Sequence, residues 1–355
     1  TVDNAHYQTA FFSLPISGGR RKYAPTPFVP TDKQQLNSVC EKTFNILAYG
    51  LKKRIEHVNV GKLVIGISGG SDSTLALLVA KYALTLLNRS ASDIVAITMP
   101  CFGTTKRTLD NSLSLISAIG ATPLKVDITA SVKQHLADIN HPINVTDVVY
   151  ENAQARERTQ VLMDIANGCN GLVLGTGDMS ELALGWCTYN GDQMSMYGVN
   201  SSVPKTLVKA LIKFASQNTT SKQLKTVLCD ILDTPISPEL LPVNGNNDIT
   251  QVTEDIVGPY ELHDYFLFML IRKGFTPAKV FKMAQISFEG KYDDKTIYKW
   301  LNKFIWRFFS QQFKRSASPD GVRLGSVDLS KAGMTMPSDA CANTWISNLA
   351  TVEPK

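Results

Sequence analysis

Short apolar segments alternate with longer amphipathic segments through the first half of the chain, and this alternation restricts the fold more than any other feature. The predicted strands are Lys62–Ile67, Asp93–Met99, Pro123–Ile128 and Gly171–Leu174. The helices predicted between them are Ser73–Leu87, Thr108–Ile119 and Val149–Cys169. Strands that alternate with helices form a parallel sheet covered on both faces. We therefore expect a doubly wound α/β fold that binds its ligand at the carboxyl ends of the strands.

The segments on either side of this alternation are predicted to be helical. A first helix begins at Thr31 or Asp32, and its apolar residues recur at helical spacing: Leu36, Cys40, Phe44, Leu47, Leu51, Ile55 and Val58. After Thr188 the pattern is mostly helical, with predicted helices at Pro204–Ser216, Lys222–Ile231, Pro259–Lys273 and Asp294–Phe309. Pro204 is expected at the first helical position, where proline is favoured. A turn-rich connection is predicted at Pro235, Pro238 and Pro242.

The composition excludes several classes of protein. Of the 355 residues, 44% are hydrophobic and 19% are charged, which supports a large buried core and excludes wholesale disorder. The net charge of +5 is too small to indicate a nucleic-acid partner, although it suits a polyanionic small substrate. No apolar run approaches the roughly 20 residues that a membrane-spanning helix needs. We therefore expect neither a nucleic acid nor a membrane as a partner.

The cysteines indicate a reducing compartment. There are six of them, and none forms a Cys-x-x-Cys pair. A zinc site or a disulfide framework is therefore not expected. We expect buried thiols in a cytoplasmic protein.

The segment Ile67–Thr74 reads Ile-Ser-Gly-Gly-Ser-Asp-Ser-Thr and lies directly between the first strand and its helix. Its two glycines allow close approach of the backbone to a ligand, and successive N–H groups at a helix start bind anions. It is not a Walker A motif, because no Gly-Lys-Ser/Thr closes it. Asp72 would repel a bound phosphate unless a cation lay between them. The loop therefore indicates a pyrophosphate and Mg²⁺ site, and the alternative is an ordinary strand-to-helix turn.

A second acidic pair follows the fourth strand. Asp178 and Glu181 are three residues apart at a helix start, in the run Gly175–Tyr189. This spacing is typical of a capping box. Because Glu181 and Asp72 both follow parallel strands, Glu181 is also a candidate ligand of the same Mg²⁺. Capping by Asp178 and metal binding by Glu181 are compatible.

The Ser-Gly-Gly-x-Asp-Ser loop resembles that of the pyrophosphate-loop ATPases, which cleave ATP between its α and β phosphates to adenylate a substrate. Further motifs, from about residue 27 to about residue 340, are together similar to the synthetase domain of glutamine-dependent NAD⁺ synthetases. They are Pro27–Pro30, Glu151–Arg156, Gly175–Tyr189, Val199–Leu207, Ile231–Pro235, Gly258–Asp264 and Gln312–Ser316. The resemblance implies an adenine nucleotide alpha hydrolase-like fold with a mostly helical C-terminal part.

The resemblance also implies roles for individual residues. Asp72, Glu181 and Lys205 would be catalytic, with Asp72 and Glu181 on Mg²⁺ and Lys205 on the ATP phosphates. The ATP-binding residues would be Gly66, Ser68, Gly69, Gly70, Asp72, Ser73, Thr176 and Lys205. Deamido-NAD⁺ would contact Asn152, Glu181, Trp186, Cys187, Thr188 and Tyr189, and Lys314 would lie at the dinucleotide or the ammonia entry. Without the resemblance, Lys205 and Lys314 are typical of solvated charges.

The implied organisation has three parts: residues 1–30 as a linker from an upstream glutaminase domain, 31–313 as the synthetase domain, and 314–355 as a tail over the active site. The tail departs from the family pattern at Leu329–Asp339, which lacks the family's acidic and tryptophan positions. The acidic position belongs to ammonia delivery in the family. That part of the implied mechanism is therefore the weakest match.

The implied reaction is the ATP-dependent amidation of deamido-NAD⁺ to NAD⁺ through an acyl-adenylate, with release of AMP and pyrophosphate. Ammonia would be the nitrogen donor for this chain, and glutamine the donor in a full-length parent. A homodimer or larger assembly is expected from the aromatic stripes Tyr260–Ile271 and Ile297–Phe309, and from the family's dinucleotide site at a subunit boundary. Two alternatives remain, another pyrophosphate-loop ligase and a catalytically idle nucleotide-binding module. Thiolating members of the first group usually need paired cysteines, which this sequence lacks.

Overall fold

One parallel sheet of five strands organises the protein. The structure is a computed structural model and describes residues 21–234, 237, 240, 241 and 253–354. The strands are β1 (Lys62–Gly66), β2 (Ile94–Thr98), β3 (Thr122–Lys125), β4 (Gly171–Gly175) and β5 (Tyr197–Gly198), in the order β3-β2-β1-β4-β5. All four pairings are parallel, with Val64 opposite Val95 on one side and Val173 on the other. The prediction of a doubly wound parallel sheet is confirmed.

Helices cover both faces of the sheet. Those in the first half are α1 (Lys33–Val58), α2 (Ser71–Leu86), α3 (Lys106–Ile119), α4 (Thr129–Asp138) and α5 (Val148–Gly168). The alternation of side chains along β1 sends Leu63 and Ile65 into one apolar core and Val64 into another. The first core contains residues of α1 and α2, and the second contains residues of α4 and α5. A strand buried on both faces explains why β1 reads as a continuous apolar run.

The remainder is mostly helical, as predicted. Its helices are α6 (Met179–Leu184), α7 (Lys205–Asn218), α8 (Lys222–Leu232), α9 (Thr253–Val257), α10 (Tyr260–Leu267), α11 (Pro277–Ser287), α12 (Asp294–Ser310), α13 (Gln312–Ser316) and α14 (Asn343–Ala350). A π-helical turn, Phe268–Arg272, continues α10. None of the helices in these described ranges is both long and apolar enough to cross a membrane.

The aromatic stripes of α10 and α12 pack against each other within the chain. Tyr265, Phe266, Phe304 and Phe308 belong to one buried cluster, and the Phe266 ring of α10 meets the Phe304 ring of α12 edge to face, with centroids 6.1 Å apart. The expectation that these stripes leave apolar surface for a second subunit is therefore wrong. The stripes form the core of the helical part, because each helix supplies the apolar partner of the other.

Several boundaries and burials differ from the predictions. Pro204 is the N-cap of α7 and not its first residue. The third strand ends at Lys125, because Asp127 turns the chain by accepting a hydrogen bond from Thr129 N at 2.9 Å. Cys229 and Cys341 are exposed, so the expectation that all the thiols are buried is wrong. Residues 1–20 of the predicted linker and Pro235, Pro238 and Pro242 lie outside the described residues.

Candidate active site

The loop between β1 and α2 has the geometry of an anion-binding turn. Gly69 has a φ of +82°, a left-handed conformation that favours glycine, and a side chain there would collide with the Thr108 carbonyl. Gly70 is the N-cap of α2 and offers no side chain to cap the helix. The Ser68 and Ser73 hydroxyls lie 3.2 Å apart beside it. The N–H groups at the start of this 16-residue helix therefore point to a place where an anion is favoured.

Three carboxylates from the ends of β1 and β4 converge beside this loop. Oxygen atoms of Asp72, Asp178 and Glu181 all lie within 4.8 Å of one another. The ammonium nitrogen of Lys205 lies among them, 2.6 Å from Asp72 Oδ2, 3.0 Å from Asp178 Oδ2 and 2.9 Å from Glu181 Oε1. Lys205 is fully buried, so the interpretation of it as a solvated charge is wrong. The ring of Tyr260 lies on a further side of the ammonium, with its centroid 5.1 Å away.

Burial and crowding control the protonation of this cluster. Burial raises the pKa of Glu181 to about 7, with Lys205 opposing the shift and Asp72 adding to it. Burial likewise raises the pKa of Asp178 well above its usual range. Burial alone would lower the pKa of Lys205, but the three carboxylates raise it well above its usual value. The lysine therefore remains charged, and a further cation would favour the ionised forms of Asp178 and Glu181.

The residues present fit a divalent metal ion. Carboxylate oxygens are the ligands that Mg²⁺ prefers. Asp72 Oδ1 is buried without a hydrogen-bond partner, and Asp178 Oδ2 has the Lys205 ammonium beside it at 3.0 Å. Asp178 and Glu181 also form a capping box, in which Glu181 N donates to Asp178 Oδ1 at 2.8 Å and Asp178 N donates to Glu181 Oε2 at 3.2 Å. The capping interpretation is therefore confirmed, and it leaves Glu181 Oε1 facing the ammonium.

A cavity of about 720 Å³ joins the loop, the cluster and the end of β4. It brings together nearly all of the predicted site residues: Gly66, Ser68, Gly69, Gly70, Asp72, Ser73, Asn152, Thr176, Glu181, Trp186, Cys187, Thr188, Tyr189 and Lys314. Lys205 is not among its lining residues, because its ammonium lies behind the carboxylates. It lines a second cavity of about 410 Å³, with Tyr260 and Glu261. The individual ligand roles remain predictions.

The far wall of the large cavity is held by polar contacts. The Thr188 hydroxyl donates to Asn152 Oδ1 at 2.7 Å, which links the segment after α6 to helix α5. The Lys314 ammonium donates to the carbonyls of Gly185 at 2.9 Å and Cys187 at 2.6 Å. The interpretation of Lys314 as a solvated charge is therefore wrong. Its main effect here is to fix the turn that carries the 186–189 segment.

Two residues that the sequence analysis left without a role also shape the site. Asn200 is fully buried, and its amide Nδ2 donates to the carbonyls of Asp72 at 2.8 Å and Thr176 at 3.0 Å. Asp192 lines the cavity and accepts a hydrogen bond from Thr188 N at 2.7 Å. Asn200 lies in the Val199–Leu207 motif, so the family resemblance includes its position. Its role could not be predicted, because a buried amide that joins two distant segments has no local sequence signal.

The tail reaches the cavity at one place. Lys314, Ser318 and Pro319 line it, and Gly198 N of β5 donates to Asp320 O at 2.8 Å. The altered segment at residues 331–335 does not contribute a lining residue within the described part of the chain. The division of the chain at residues 30 and 313 remains a prediction.

A parallel sheet whose strand ends carry an anion-binding loop and a carboxylate cluster defines the class of protein. The chain is an α/β protein of the adenine nucleotide alpha hydrolase-like type. A sequence model of the family described as NAD synthase matches residues 43–305. The chain therefore belongs to the NAD synthase family.

Individual relatives agree with this assignment. The chain is 41% identical over 354 residues to a glutamine-dependent NAD(+) synthetase of Mycobacterium leprae, which covers 93% of this chain and 52% of the relative. A glutamine-dependent NAD(+) synthetase of Thermotoga maritima is 28% identical over 289 residues, with 81% of this chain and 46% of the relative covered. The chain thus spans about half the length of the curated relatives it matches.

Solved structures share the fold. The crystal structure of a glutamine-dependent NAD(+) synthetase from Cytophaga hutchinsonii superposes with a TM-score of 0.71 at 16% identity, and covers 87% of this chain and 56% of that chain. An NMN synthetase from Francisella tularensis superposes with a TM-score of 0.54 at 25% identity, and covers 72% of this chain and 96% of that chain. These matches support the fold independently of the sequence family.

Proposed function

We propose that the chain catalyses the ATP-dependent amidation of deamido-NAD⁺ to NAD⁺. The observation that carries the proposal is the single cavity that connects the anion-binding loop, the Asp72 and Glu181 carboxylates, and the Trp186–Tyr189 segment. A volume of about 720 Å³ lies within the range of cofactor sites. The relatives named as glutamine-dependent NAD(+) synthetases support the choice of product. A solved glutamine-dependent NAD+ synthetase from Acinetobacter baumannii, in complex with adenosine diphosphate, supports the choice of nucleotide.

The reaction divides into two displacements. A nicotinate carboxylate oxygen attacks the α-phosphorus of ATP, and the bond to the β-phosphate oxygen breaks, so that pyrophosphate leaves with the electron pair. Ammonia then attacks the acyl carbon of the adenylate, the bond to AMP breaks, and the nitrogen loses a proton. Neither step requires a protein nucleophile, and positioning with charge stabilisation supplies most of the rate in such reactions.

The residues divide this work by location. The N–H groups and hydroxyls of the Ser68–Ser73 loop hold phosphate oxygens at the start of α2. Asp72 and Glu181 are the cavity-facing members of the carboxylate cluster and would hold Mg²⁺, which would neutralise charge on the phosphates. Lys205, held by the same carboxylates, supplies fixed positive charge behind them. Asn152 and the 186–189 segment form the wall against which the dinucleotide binds.

The proposed nitrogen donor for this chain is ammonia. The relatives are named for glutamine, but the chain matches only about half of each. A glutaminase needs a nucleophile activated by a base that is itself oriented. Cys187, the one cysteine that lines the cavity, has its pKa raised to about 12 by burial, with Asp192 adding to the shift. That direction opposes a thiolate nucleophile.

We also propose a homodimer and a cytoplasmic location. Support for the dimer comes from exposed apolar side chains from the end of α4 to the first turn of α5: Ile139, Ile143, Val145, Val148 and Val149. Val148 also lines the cavity, so a second copy placed there would help to enclose it. The six free thiols support a reducing compartment.

The test is an assay of NAD⁺ formation by the purified chain with deamido-NAD⁺, ATP and Mg²⁺. We expect product with ammonium and none with ammonia-free glutamine. Pyrophosphate release that depends on deamido-NAD⁺ excludes an idle module. Equal release with the nicotinate mononucleotide in its place would instead assign a ligase with another substrate. Comparable rates with glutamine would contradict the proposed donor.

A further inference from the structure

Helix α7 begins at Lys205, and its start is capped from outside the helix. The residue before it, Pro204, makes no side-chain capping bond. The first N–H groups of a helix have no partner inside the helix, and buried ones are costly unless another group accepts their hydrogen bonds. Lys205 is fully buried, so water cannot supply the acceptors. The acceptors come from α6 and α10.

One carboxylate, Asp264 of α10, collects the hydrogen bonds at this junction. Thr206 donates to Asp264 Oδ2 twice, through its N–H at 2.9 Å and its hydroxyl at 2.6 Å. The Ser180 hydroxyl of α6 donates to Asp264 Oδ1 in a short hydrogen bond. Ser180 Oγ in turn accepts from Lys205 N at 2.8 Å. Asp264 and Ser180 are both buried, and Thr206 is partly buried.

The network is adjacent in sequence to two members of the charged cluster. Ser180 directly precedes Glu181, and Thr206 directly follows Lys205. A displacement of either helix start would therefore move a charged group relative to Asp72. Tyr260 is four residues before Asp264 on α10, on the same face, and its ring contacts the Lys205 ammonium. Helix α10 thus contacts the Lys205 ammonium through Tyr260, and it reaches the Lys205 backbone N–H through Asp264 and Ser180.

We propose that Asp264 is a positioning residue, which fixes Glu181 and Lys205 relative to each other by capping α7 and binding Ser180. Only the catalytic consequence of this role rests on the proposed function. Asp264 is not a lining residue of the large cavity within the described part of the chain, so it acts through Ser180 and Thr206. A carboxylate suits the place because both of its oxygens accept, and its negative charge lies at the positive end of α7. An asparagine would turn an NH₂ group toward one of the donors.

The first test measures the access of reagent to Lys205 in metal-free protein. Reductive methylation followed by peptide mass spectrometry gives the labelling rate of each lysine. In Asp264→Asn we expect Lys205 to label about tenfold faster than in the wild type, the ratio expected for loss of one hydrogen bond to a charged group. The matched control is Ser287→Ala on α11. It removes hydrogen bonds to the Tyr265 hydroxyl, which is on α10 like Asp264, and to Tyr23 O.

The control separates positioning from general loss of stability. The hydrogen bonds of Ser287 to Tyr265 and Tyr23 reach neither α6 nor α7. The Ser287→Ala variant should therefore leave Lys205 protected when each protein is labelled at the same interval below its own unfolding midpoint. Equal labelling of Lys205 in Asp264→Asn and Ser287→Ala would overturn the proposal. If Asp264→Asn does not fold, Thr206→Val removes one hydroxyl donor with little change of shape, and Thr206→Ser retains it. We expect Lys205 to label faster in Thr206→Val and at the wild-type rate in Thr206→Ser. Equal labelling rates of Lys205 in these two variants would overturn the proposal.

A kinetic readout extends the test to the proposed reaction. Misplacement of Glu181 and Lys205 should lower the rate of pyrophosphate exchange about tenfold or more in Asp264→Asn, while the KM for ATP changes little, because the Ser68–Ser73 loop is not touched. A changed KM with an unchanged rate would contradict positioning of these two residues. If the wild type shows no exchange at all, the proposed function fails, and the labelling result remains valid for the role of Asp264.

Discussion

The ammonium nitrogen of Lys205 lies 2.6 Å from the Asp72 carboxylate, although the two residues are 133 positions apart in the chain. Asp72 lies in the first turn of α2, and Lys205 is the first residue of α7. Their contact joins the first turn of α2, directly after the β1 loop, to the helical part of the protein. Because Lys205 also contacts Asp178 and Glu181, a single cation balances part of the charge of three carboxylates.

Replacement of Lys205 by methionine should destabilise the protein by about 3–5 kcal/mol, because it leaves buried carboxylates without their cation. The same change should make the protein more responsive to divalent metal. We expect Mg²⁺ to raise the unfolding temperature of Lys205→Met more than that of the wild type, as measured by thermal melts in EDTA and in Mg²⁺. Lys213→Met, an exposed substitution on the same helix, is the control. Equal metal responses in all three proteins would contradict the charge-balance explanation.

Removal of charge from either cavity-facing carboxylate should stop adenylation without unfolding the protein. Asp72→Asn relieves repulsion among like charges and can turn its NH₂ group to the side without a donor, so stability should be retained or increased. Glu181→Gln also relieves repulsion but turns an NH₂ group toward Asp178 N or the Lys205 ammonium, so it should fold with a modest loss of stability. Each should lower Mg²⁺-dependent pyrophosphate exchange by about 100-fold or more, since a preorganised charge at the phosphates is lost. The exposed Asp110→Asn serves as control and should keep the wild-type rate. Near-normal exchange in either site variant would refute the assignment.

Asn200 should be required for the relative placement of the two strand-end loops. Its amide donates to the carbonyls of Asp72 and Thr176. Asn200→Asp replaces two donors with acceptors that face carbonyl oxygens, so we expect a loss of about 2–3 kcal/mol and a fall in the adenylation rate. Urea unfolding measures the first effect and pyrophosphate exchange the second. Asn218→Ala, which removes an exposed side-chain bond to Phe214 O, should be close to neutral. A neutral Asn200→Asp would contradict the bridging role.

His263 should make the protein sensitive to mild acid. It is buried, donates a hydrogen bond from Nε2 to Val257 O at 2.7 Å, and stacks on Phe304, and its Nδ1 has no hydrogen-bond partner. Burial lowers the pKa of His263 to about 4. The unfolded chain therefore takes up a proton below its ordinary pKa of about 6.5 while the folded chain does not, so stability falls as the pH drops from 6.5 toward 4.

The expected loss between pH 7 and pH 4.5 from this residue alone is about 2.5 kcal/mol. Urea unfolding at both pH values measures it. In His263→Gln, which has no titrating group at this position, the difference between the two pH values should be smaller by that amount. An identical pH dependence in the two proteins would show that His263 does not titrate as its burial predicts.

The sequence predicts those parts of the fold whose signal is local. Strand β1 and helix α2 were found because an apolar β-branched run, a glycine turn and an amphipathic segment follow one another directly. Strand β5 was missed because its two residues make no apolar run, and it exists only through pairing with β4. The stripes of α10 and α12 were correctly found as apolar, but a helix pattern cannot say which other face in the chain will cover it.

The same distinction between local and non-local signals applies to the candidate site. The loop and the Asp178–Glu181 pair could be predicted, because spacing and position after a strand are local properties. The burial of Lys205 could not, since its three carboxylate partners lie 24 to 133 positions earlier and only the fold brings them together. Without the family resemblance, Lys205 is indistinguishable from a solvated lysine at a helix start. Lys314 is a similar case, because its acceptors are main-chain carbonyls that lie more than a hundred positions earlier.

The contact of Asp320 with β5 has a consequence for self-association. β5 is the last strand on its side of the sheet, and its Gly198 N–H donates to Asp320 O. The Ser202 hydroxyl donates to Val322 O in a short bond, and Arg54 contacts the Asp320 carboxylate at 3.1 Å. Unpaired edges of sheets are templates on which other chains add strands, so native proteins cover them. The 320–322 segment is such a cover, and its detachment would turn an enclosed strand into a nucleus for intermolecular β-pairing.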